Sequence, residues 1–234
     1  MRTLLALALA VLPRFAFAVD FDVSPVRLDL SASARTGHLT VRNPGAQPLR
    51  LQISARGWQQ ASDGRIELEP TSEVSFFPSL FELAPGQTRI IRIGVSATET
   101  PREKTFRVLI DELPQQHAGL GVIQVVTRLS VPVFFGAPGK PQPEIVGTRL
   151  ESGAVAFELK NSGSAHFVAR RAVVVARDAK GGEVATGEQA GWYVLAGGDR
   201  RFVVPLSAAA AGAVRVGVRV ETDVGLAEAE VRVP

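Results

Sequence analysis

The chain has 234 residues, of which 46% are hydrophobic and 21% are charged, and its formal net charge is +3. This length allows one or two domains with sizeable cores, and the share of charged residues is too high for a membrane-embedded protein and too low for a disordered one. The basic residues form no run and aromatic residues are sparse, so the sequence does not indicate a nucleic-acid partner.

The first 18 residues have the pattern of a secretory signal peptide. Arg2 gives a basic start, an apolar run extends from Leu4 to Leu12, and Ala16-Phe17-Ala18 forms an A-x-A cleavage site. The run is too short to cross a bilayer, and no later run is long enough to do so. We therefore expect residues 1–18 to be removed, with Val19 as the first mature residue. The chain has no cysteine, which suits a bacterial periplasm because export requires no disulfide.

Alternating apolar residues, interrupted by turn signals, predict strands throughout residues 19–135. The first clear example alternates at Leu39 and Val41 and ends at the turn signal Asn43-Pro44-Gly45. Further strands are predicted in "LRLQISARGW", "RIELEP", "TRIIRIGVS" and "TFRVLIDELP". No segment has a long 3.6-residue period with helix caps. We predict a β-sandwich of about seven strands.

The stretch from Val122 to Phe135 is unusual, because it has apolar residues on both faces and contains Pro132. A proline cannot donate a hydrogen bond to a β-ladder, so it indicates an edge strand or a bulge. A long apolar edge strand is an aggregation hazard, and its presence in an exported protein calls for a functional reason.

A second domain is predicted after a stiff linker. Residues 136–143, "GAPGKPQP", contain two glycines and three prolines. Residues 144–234 then return to strand patterns, in "AVAFELKNSG", "RRAVVVARDAKGG", "GWYVLAGGDRRFVVPL", "AVRVGVRVETDVG" and "AEAEVRVP". These predict a second, smaller β-sandwich.

The sequence offers little for catalysis or metal binding. His38, His117 and His166 are scattered without metal-ligand spacing, and the nucleotide-binding and hydrolase motifs are missing. The neighbouring Asp111 and Glu112 sit at the end of a predicted strand and face opposite sides. We expect neither an enzyme nor a cofactor.

Arginine within predicted strands is the remaining polar feature. Arg27, Arg92, Arg107 and Arg128 each lie in an apolar strand pattern. A strand arginine usually faces solvent, but some of these four could converge. Converging guanidinium groups would suit a carboxylate, because each presents a planar fork of donors.

These segments together resemble the periplasmic chaperones of the chaperone–usher pilus pathway. The resemblance is strongest to the archaic branch, which serves spore-coat-U-like pilins. It rests on "SPVRLDL", "LTVRNPGAQPLRLQISARGW", "FFPSLFELAPGQTRIIRIGV", "FRVLIDELP", "VVTRLSVPVFF", "ELKNSGSAHF" and "WYVLAGGDRRFVVPL". The resemblance implies an all-β protein with two immunoglobulin-like domains in a boomerang arrangement.

The resemblance also gives the apolar edge strand a purpose. Pilin subunits of this pathway lack their last strand, and the chaperone lends one of its own, a mechanism known as donor-strand complementation. The side chains that would fill the subunit groove are Ile123, Val125, Thr127, Leu129 and Val131. Val126 and Arg128 would lie on the opposite face. Pattern alone leaves an ordinary strand in a closed sandwich as the alternative.

The family anchors the C-terminal carboxylate of the subunit in the cleft between the domains with two basic residues. Arg27 matches the first of them in its "VRLDL" setting. The position of the second is occupied by Ser130, so we expect Arg128, or else Arg92, to take its place.

The expected partners are therefore pilin subunits and an outer-membrane usher, with no nucleic acid and no membrane insertion. The alternative is a secreted structural or adhesive β-sandwich module that binds protein or sugar. The small number of tryptophans and tyrosines, two and one, gives little support for a sugar-binding platform.

Overall fold

A computed structural model describes residues 21–114, 125–136 and 139–233. Their regular structure consists of β-strands, and these residues include no helix that is long and apolar enough to cross a membrane. The predicted signal peptide, residues 1–18, lies outside the described residues.

Ten strands form the first sandwich. They are β1 (Asp22–Ser24), β2 (Leu28–Leu30), β3 (Thr36–Arg42), β4 (Leu49–Gln60), β5 (Ile66–Pro70), β6 (Val74–Phe77), β7 (Leu80–Leu83), β8 (Thr88–Val95), β9 (Lys104–Glu112) and β10 (Arg128–Phe135). One sheet has the order β1-β3-β8-β6, and the other has the order β2-β10-β9-β4-β5 with β7 also paired to β4. This sandwich has more strands than the expected seven. Its first segment is divided into β1 and β2, which lie in different sheets, and β5, β6 and β7 are three separate short strands.

The two sheets enclose one apolar core. Leu39 and Ile91 from the first sheet and Val108 and Val133 from the second are all fully buried. Leu39 and Ile91 alternate with more exposed residues along their strands, as the period-2 pattern predicts, whereas the neighbours of Val108 in β9 and of Val133 in β10 are buried as well.

Eight strands form the second sandwich. They are β11 (Pro143–Glu151), β12 (Ala154–Asn161), β13 (Phe167–Arg177), β14 (Glu183–Ala190), β15 (Tyr193–Val194), β16 (Asp199–Pro205), β17 (Arg215–Thr222) and β18 (Gly225–Arg232). One sheet has the order β11-β12-β16, and the other has the order β14-β13-β17-β18 with β15 paired to β13. Its core includes the stacked rings of Phe157 and Phe202.

The two sandwiches meet in a packed interface. Glu103, just before β9, accepts hydrogen bonds from the backbone N–H of His166 at 2.6 Å and from its ring Nδ1 at 2.9 Å. The imidazole stacks on Phe134 of β10 with ring centroids 3.5 Å apart. At the other end of the interface, the Arg201 N–H donates to the carbonyl of Ser62 at 2.7 Å. Contacts at both ends fix the second sandwich against the first.

Replacing Glu103 with alanine should therefore lower the free energy of unfolding by about 1–3 kcal/mol, because the buried donors of His166 lose their acceptor. Chemical denaturation measures this change. Glu73→Ala is the control, since its pair with Lys104 is partly exposed and should contribute about 0–1 kcal/mol. Equal losses in the two variants would contradict a structural role for the contact between the domains.

Candidate functional site: an open strand edge that ends at a cluster of arginines

One edge of β10 is open over most of its length. The strand pairs with β9 from Arg128 to Phe135, but on its other side β2 covers only Val133 to Phe135. Among the described residues, no strand pairs with the segment Arg128 to Pro132 on that side. Pro132, which has no N–H to offer, is the last residue of this segment, as the edge-strand prediction requires.

The predicted donor residues along this edge differ in their exposure and in their contacts. Val125 is 84% exposed, and Leu129 is partly buried against the core of its own domain. Thr127 exchanges hydrogen bonds with Glu112, its carbonyl accepting from the Glu112 N–H at 2.9 Å. Val131 is only 4% exposed and belongs to the core of its own domain, so it is not available to a partner and its assignment as a donor residue is wrong. Ile123 lies outside the described residues.

A row of arginines crosses the sheet where the open edge ends. Arg107 of β9 is the register partner of both Pro132 in β10 and Arg56 in β4. Arg27 immediately precedes Leu28, whose partner is Val133, so Arg27 lies beside Pro132 in the same row. The Arg107 side chain packs on Trp58, and the side chains of Arg27 and Arg56 are exposed. Like charges on directly paired positions repel each other, so the row favours the binding of an anion.

Arg107 is the most unusual member of this row. Its side chain is 2% exposed, and its guanidinium lies over the ring of Trp58 with Cζ 3.6 Å from the centroid. Nη1 donates weakly to the carbonyl of Ser130 at 3.4 Å, whereas Nε and Nη2 have no hydrogen-bond partner among the described residues. Burial lowers the pKa of Arg107 to about 10, against a small opposing effect of Tyr193. A buried guanidinium with two unpaired donors is a candidate anion-binding group.

Replacing Arg107 with methionine should raise the free energy of unfolding at neutral pH by about 1–2 kcal/mol. The variant removes a buried, unpaired charge, and the thioether keeps part of the contact with Trp58. The unfolded chain holds the Arg107 proton more tightly than the folded one, so the wild type gains relative stability as the pH rises above about 10. The difference in the free energy of unfolding between Arg107→Met and the wild type should therefore be smaller at pH 10.5 than at pH 7, as measured by denaturation. A variant that is less stable than the wild type at pH 7 would contradict the assignment of Arg107 as a destabilising buried charge.

Arg27, unlike Arg107, is an accessible member of the row. Its side chain is 40% exposed, and Nε donates to Asp29 at 2.9 Å. Partial burial lowers the pKa of Arg27, but the charge and hydrogen bond of Asp29 outweigh it with a smaller contribution from Tyr193, so the pKa is raised overall. Arg27 therefore stays charged at the protein surface.

The other two predicted anchor residues do not join Arg27. Arg128 lies at the opposite end of β10, where it forms an ion pair with Asp111. Arg92 lies on the outer face of the other sheet, beside Phe77 and His38. The predicted convergence of Arg27 with Arg128 or Arg92 is therefore wrong, because register and the intervening core separate them. The arginines that share the row with Arg27 are Arg107 and Arg56, and Arg107 packs on Trp58.

Comparison with known proteins agrees with this architecture. The family described as "Pili and flagellar-assembly chaperone, PapD N-terminal domain" matches residues 20–140. The chain belongs to this chaperone family. No curated protein matches the sequence.

Solved structures extend the likeness of this chaperone to the second domain. The CsuC–CsuE chaperone–tip adhesion subunit pre-assembly complex, from archaic chaperone-usher Csu pili of Acinetobacter baumannii, contains a chain with 18% identity and a TM-score of 0.62, covering 92% of this chain and 98% of that one. The YadV chaperone has 15% identity and a TM-score of 0.59, with 92% and 100% covered. A chain of the Salmonella enterica SafA pilin–SafB chaperone complex has 19% identity and a TM-score of 0.53, with 91% and 95% covered.

These coverages span both sandwiches, so the expected all-β fold with two immunoglobulin-like domains is confirmed. The family also favours an assembly chaperone over the alternative of a structural or adhesive module. In the part of the chain that the structure describes, no group of three or more histidine, aspartate or glutamate side chains could hold a metal ion.

Proposed function

We propose that this chaperone binds pilin subunits in the periplasm by pairing the open edge of β10 with a strand of the subunit, and delivers them to an outer-membrane usher. The observation that carries this proposal is that the open edge ends at Arg27. The resemblance to the archaic branch indicates spore-coat-U-like subunits.

The position of β2 selects the direction of the incoming strand. β2 runs parallel to β10 and begins at Leu28, so it blocks any partner strand from continuing past Pro132. A partner strand parallel to β10 would therefore end with its C-terminal carboxylate beside Arg27. An antiparallel partner would instead place its N-terminal amine there, where the charges of Arg27 and Arg107 repel it. The arginine row thus favours the C-terminal end of a parallel strand.

The same arrangement explains general recognition of subunits. Main-chain hydrogen bonds along Arg128 to Pro132 require no particular partner sequence. A C-terminal carboxylate is present on every subunit, and a guanidinium binds it with two parallel hydrogen bonds. Arg27 would make the first contact, and Arg107 would gain an acceptor for donors that are otherwise unpaired. Sequence preference would come from the side chains of Val125, Thr127 and Leu129 in the subunit groove.

Purification of the chaperone from periplasm, followed by mass spectrometry and native mass measurement, tests the proposal. We expect a one-to-one complex with a pilin subunit whose sandwich lacks a strand. The same purification with Val125→Asp should yield the chaperone alone. Recovery of the chaperone with Met1 still present would contradict the proposed location. Equal recovery of the bound protein with the wild type and with Val125→Asp would contradict the proposed edge.

A further inference from the structure

Tyr193 belongs to the second domain but packs against the first. Its strand β15 pairs with β13, where Val168 is its register partner. Its ring contacts Trp58 and Phe134 of the first domain, with centroids 5.7 Å and 5.4 Å away. The side chain of Gln60 donates to the Tyr193 carbonyl at 2.8 Å. The position of Tyr193 is therefore fixed by both domains.

Trp58 joins Tyr193 to the arginine row. The guanidinium of Arg107 covers the face of the Trp58 ring, and the Tyr193 ring meets the same indole nearly perpendicularly, at 89°. Tyr193 also influences both guanidinium groups, since it opposes the lowering of the Arg107 pKa by burial and contributes to the raised pKa of Arg27. The Tyr193 side chain therefore belongs to the same packed cluster as Trp58 and Arg107, at the end of the arginine row.

We propose that Tyr193 is the contribution of the second domain to the carboxylate anchor, and that its hydroxyl donates a hydrogen bond to the carboxylate held by Arg27 and Arg107. This inference rests on the proposed function. A phenol hydroxyl both accepts and donates, so the same group can accept from a guanidinium and turn its proton toward a bound carboxylate. The anchor is then complete only when the two domains are packed as observed, and subunit binding depends on the arrangement of the domains.

A hydroxyl that competed with the carboxylate would have the opposite effect on subunit affinity. If the phenol oxygen instead occupied the place of the carboxylate, it would compete with the subunit. Removing it would then strengthen binding, whereas removing a donor to a charged group weakens binding by about tenfold or more.

A pair of peptides separates these roles. The probes are an N-acetylated hexapeptide of alternating threonine and valine with a free C-terminal carboxylate, and the same peptide with a C-terminal amide. The chain has two tryptophans, so in a Trp192→Phe background Trp58 is the only one, and its fluorescence reports binding beside Arg107. Tyr193→Phe in this background removes the hydroxyl and keeps the ring. We expect about tenfold weaker binding of the acid and no change for the amide.

The outcomes distinguish this inference from the proposed function. If the background protein prefers the acid and Tyr193→Phe leaves that preference unchanged or increases it, the role of Tyr193 is wrong while the anchor stands. If the background protein does not prefer the acid at all, the anchor itself is wrong.

A second measurement avoids substitution of Tyr193. It is the only tyrosine of the chain, so incorporation of 3-fluorotyrosine gives one ¹⁹F resonance. We expect the acid peptide to shift this resonance and the amide to leave it in place. Equal responses to the two peptides would overturn the inference even if Tyr193→Phe proved poorly folded.

Discussion

Replacing Arg27 with alanine is expected to weaken the binding of a pilin subunit with a free C-terminus by roughly 10- to 100-fold. The substitution removes a charged donor to the carboxylate, and hydrogen bonds to charged groups contribute about 1.5–3 kcal/mol. Arg27 is 40% exposed and, among the described residues of its own domain, is bound to Asp29 alone, so the melting temperature of the chaperone should change little. Arg27→Lys should restore only part of the affinity, since an ammonium group lacks the planar fork of a guanidinium.

The matched control for Arg27→Ala is Arg128→Ala. Both residues are exposed arginines beside the same open edge, and each is paired with one aspartate. Arg128, however, lies at the end of β10 far from the second domain, so its loss should change affinity no more than a few-fold. A subunit extended by two C-terminal glycines separates the two effects further. If the wild type binds the extended subunit as tightly as the native one, the chaperone does not recognise a terminal carboxylate and the assigned role of Arg27 is wrong.

Local patterns in the sequence predict the fold, the open edge at Pro132 and one residue of the candidate site, Arg27. Alternation of apolar residues identifies the strands of both sandwiches, because burial of one sheet face imposes a period of two. Pro132 predicts an edge strand for a reason internal to proline, its missing N–H. Arg27 is identified by the short segment around it, which matches the first strand of the family. Each of these features depends on residues close in the chain.

The rest of the site depends on contacts between distant segments. Arg92 and Arg107 have the same local setting, an arginine between apolar residues in a strand, yet only Arg107 is buried. The difference comes from the aromatic cluster at the domain interface, where Tyr193 and Leu195 of the second domain pack against Trp58. No pattern within β9 carries that information. Similarly, the alternation in β10 predicts which residues share a face but not that Val131 already lies within the domain's own core.

The phase of the donor strand can be tested with single substitutions in adjacent residues. Val125→Asp is expected to weaken subunit binding by about 100-fold or more. It removes the burial of an aliphatic side chain, which contributes about 1.5–3 kcal/mol, and places an unpaired carboxylate in an apolar groove. The chaperone itself should remain folded, because Val125 is 84% exposed in the absence of a subunit. Binding is measured by titration with the subunit, and folding by circular dichroism.

Val126→Asp is the matched control, since Val126 is the next residue, is also exposed, and lies on the opposite face of an extended strand. It should reduce subunit binding only a few-fold. Val131→Asp has a third expected result, loss of the folded first domain, because Val131 packs into the core of that domain. These three substitutions place the same carboxylate in the subunit groove, in solvent and in the domain core. Equal loss of binding in Val125→Asp and Val126→Asp would show that the strand does not insert alternate side chains, and that the main chain alone carries the interaction.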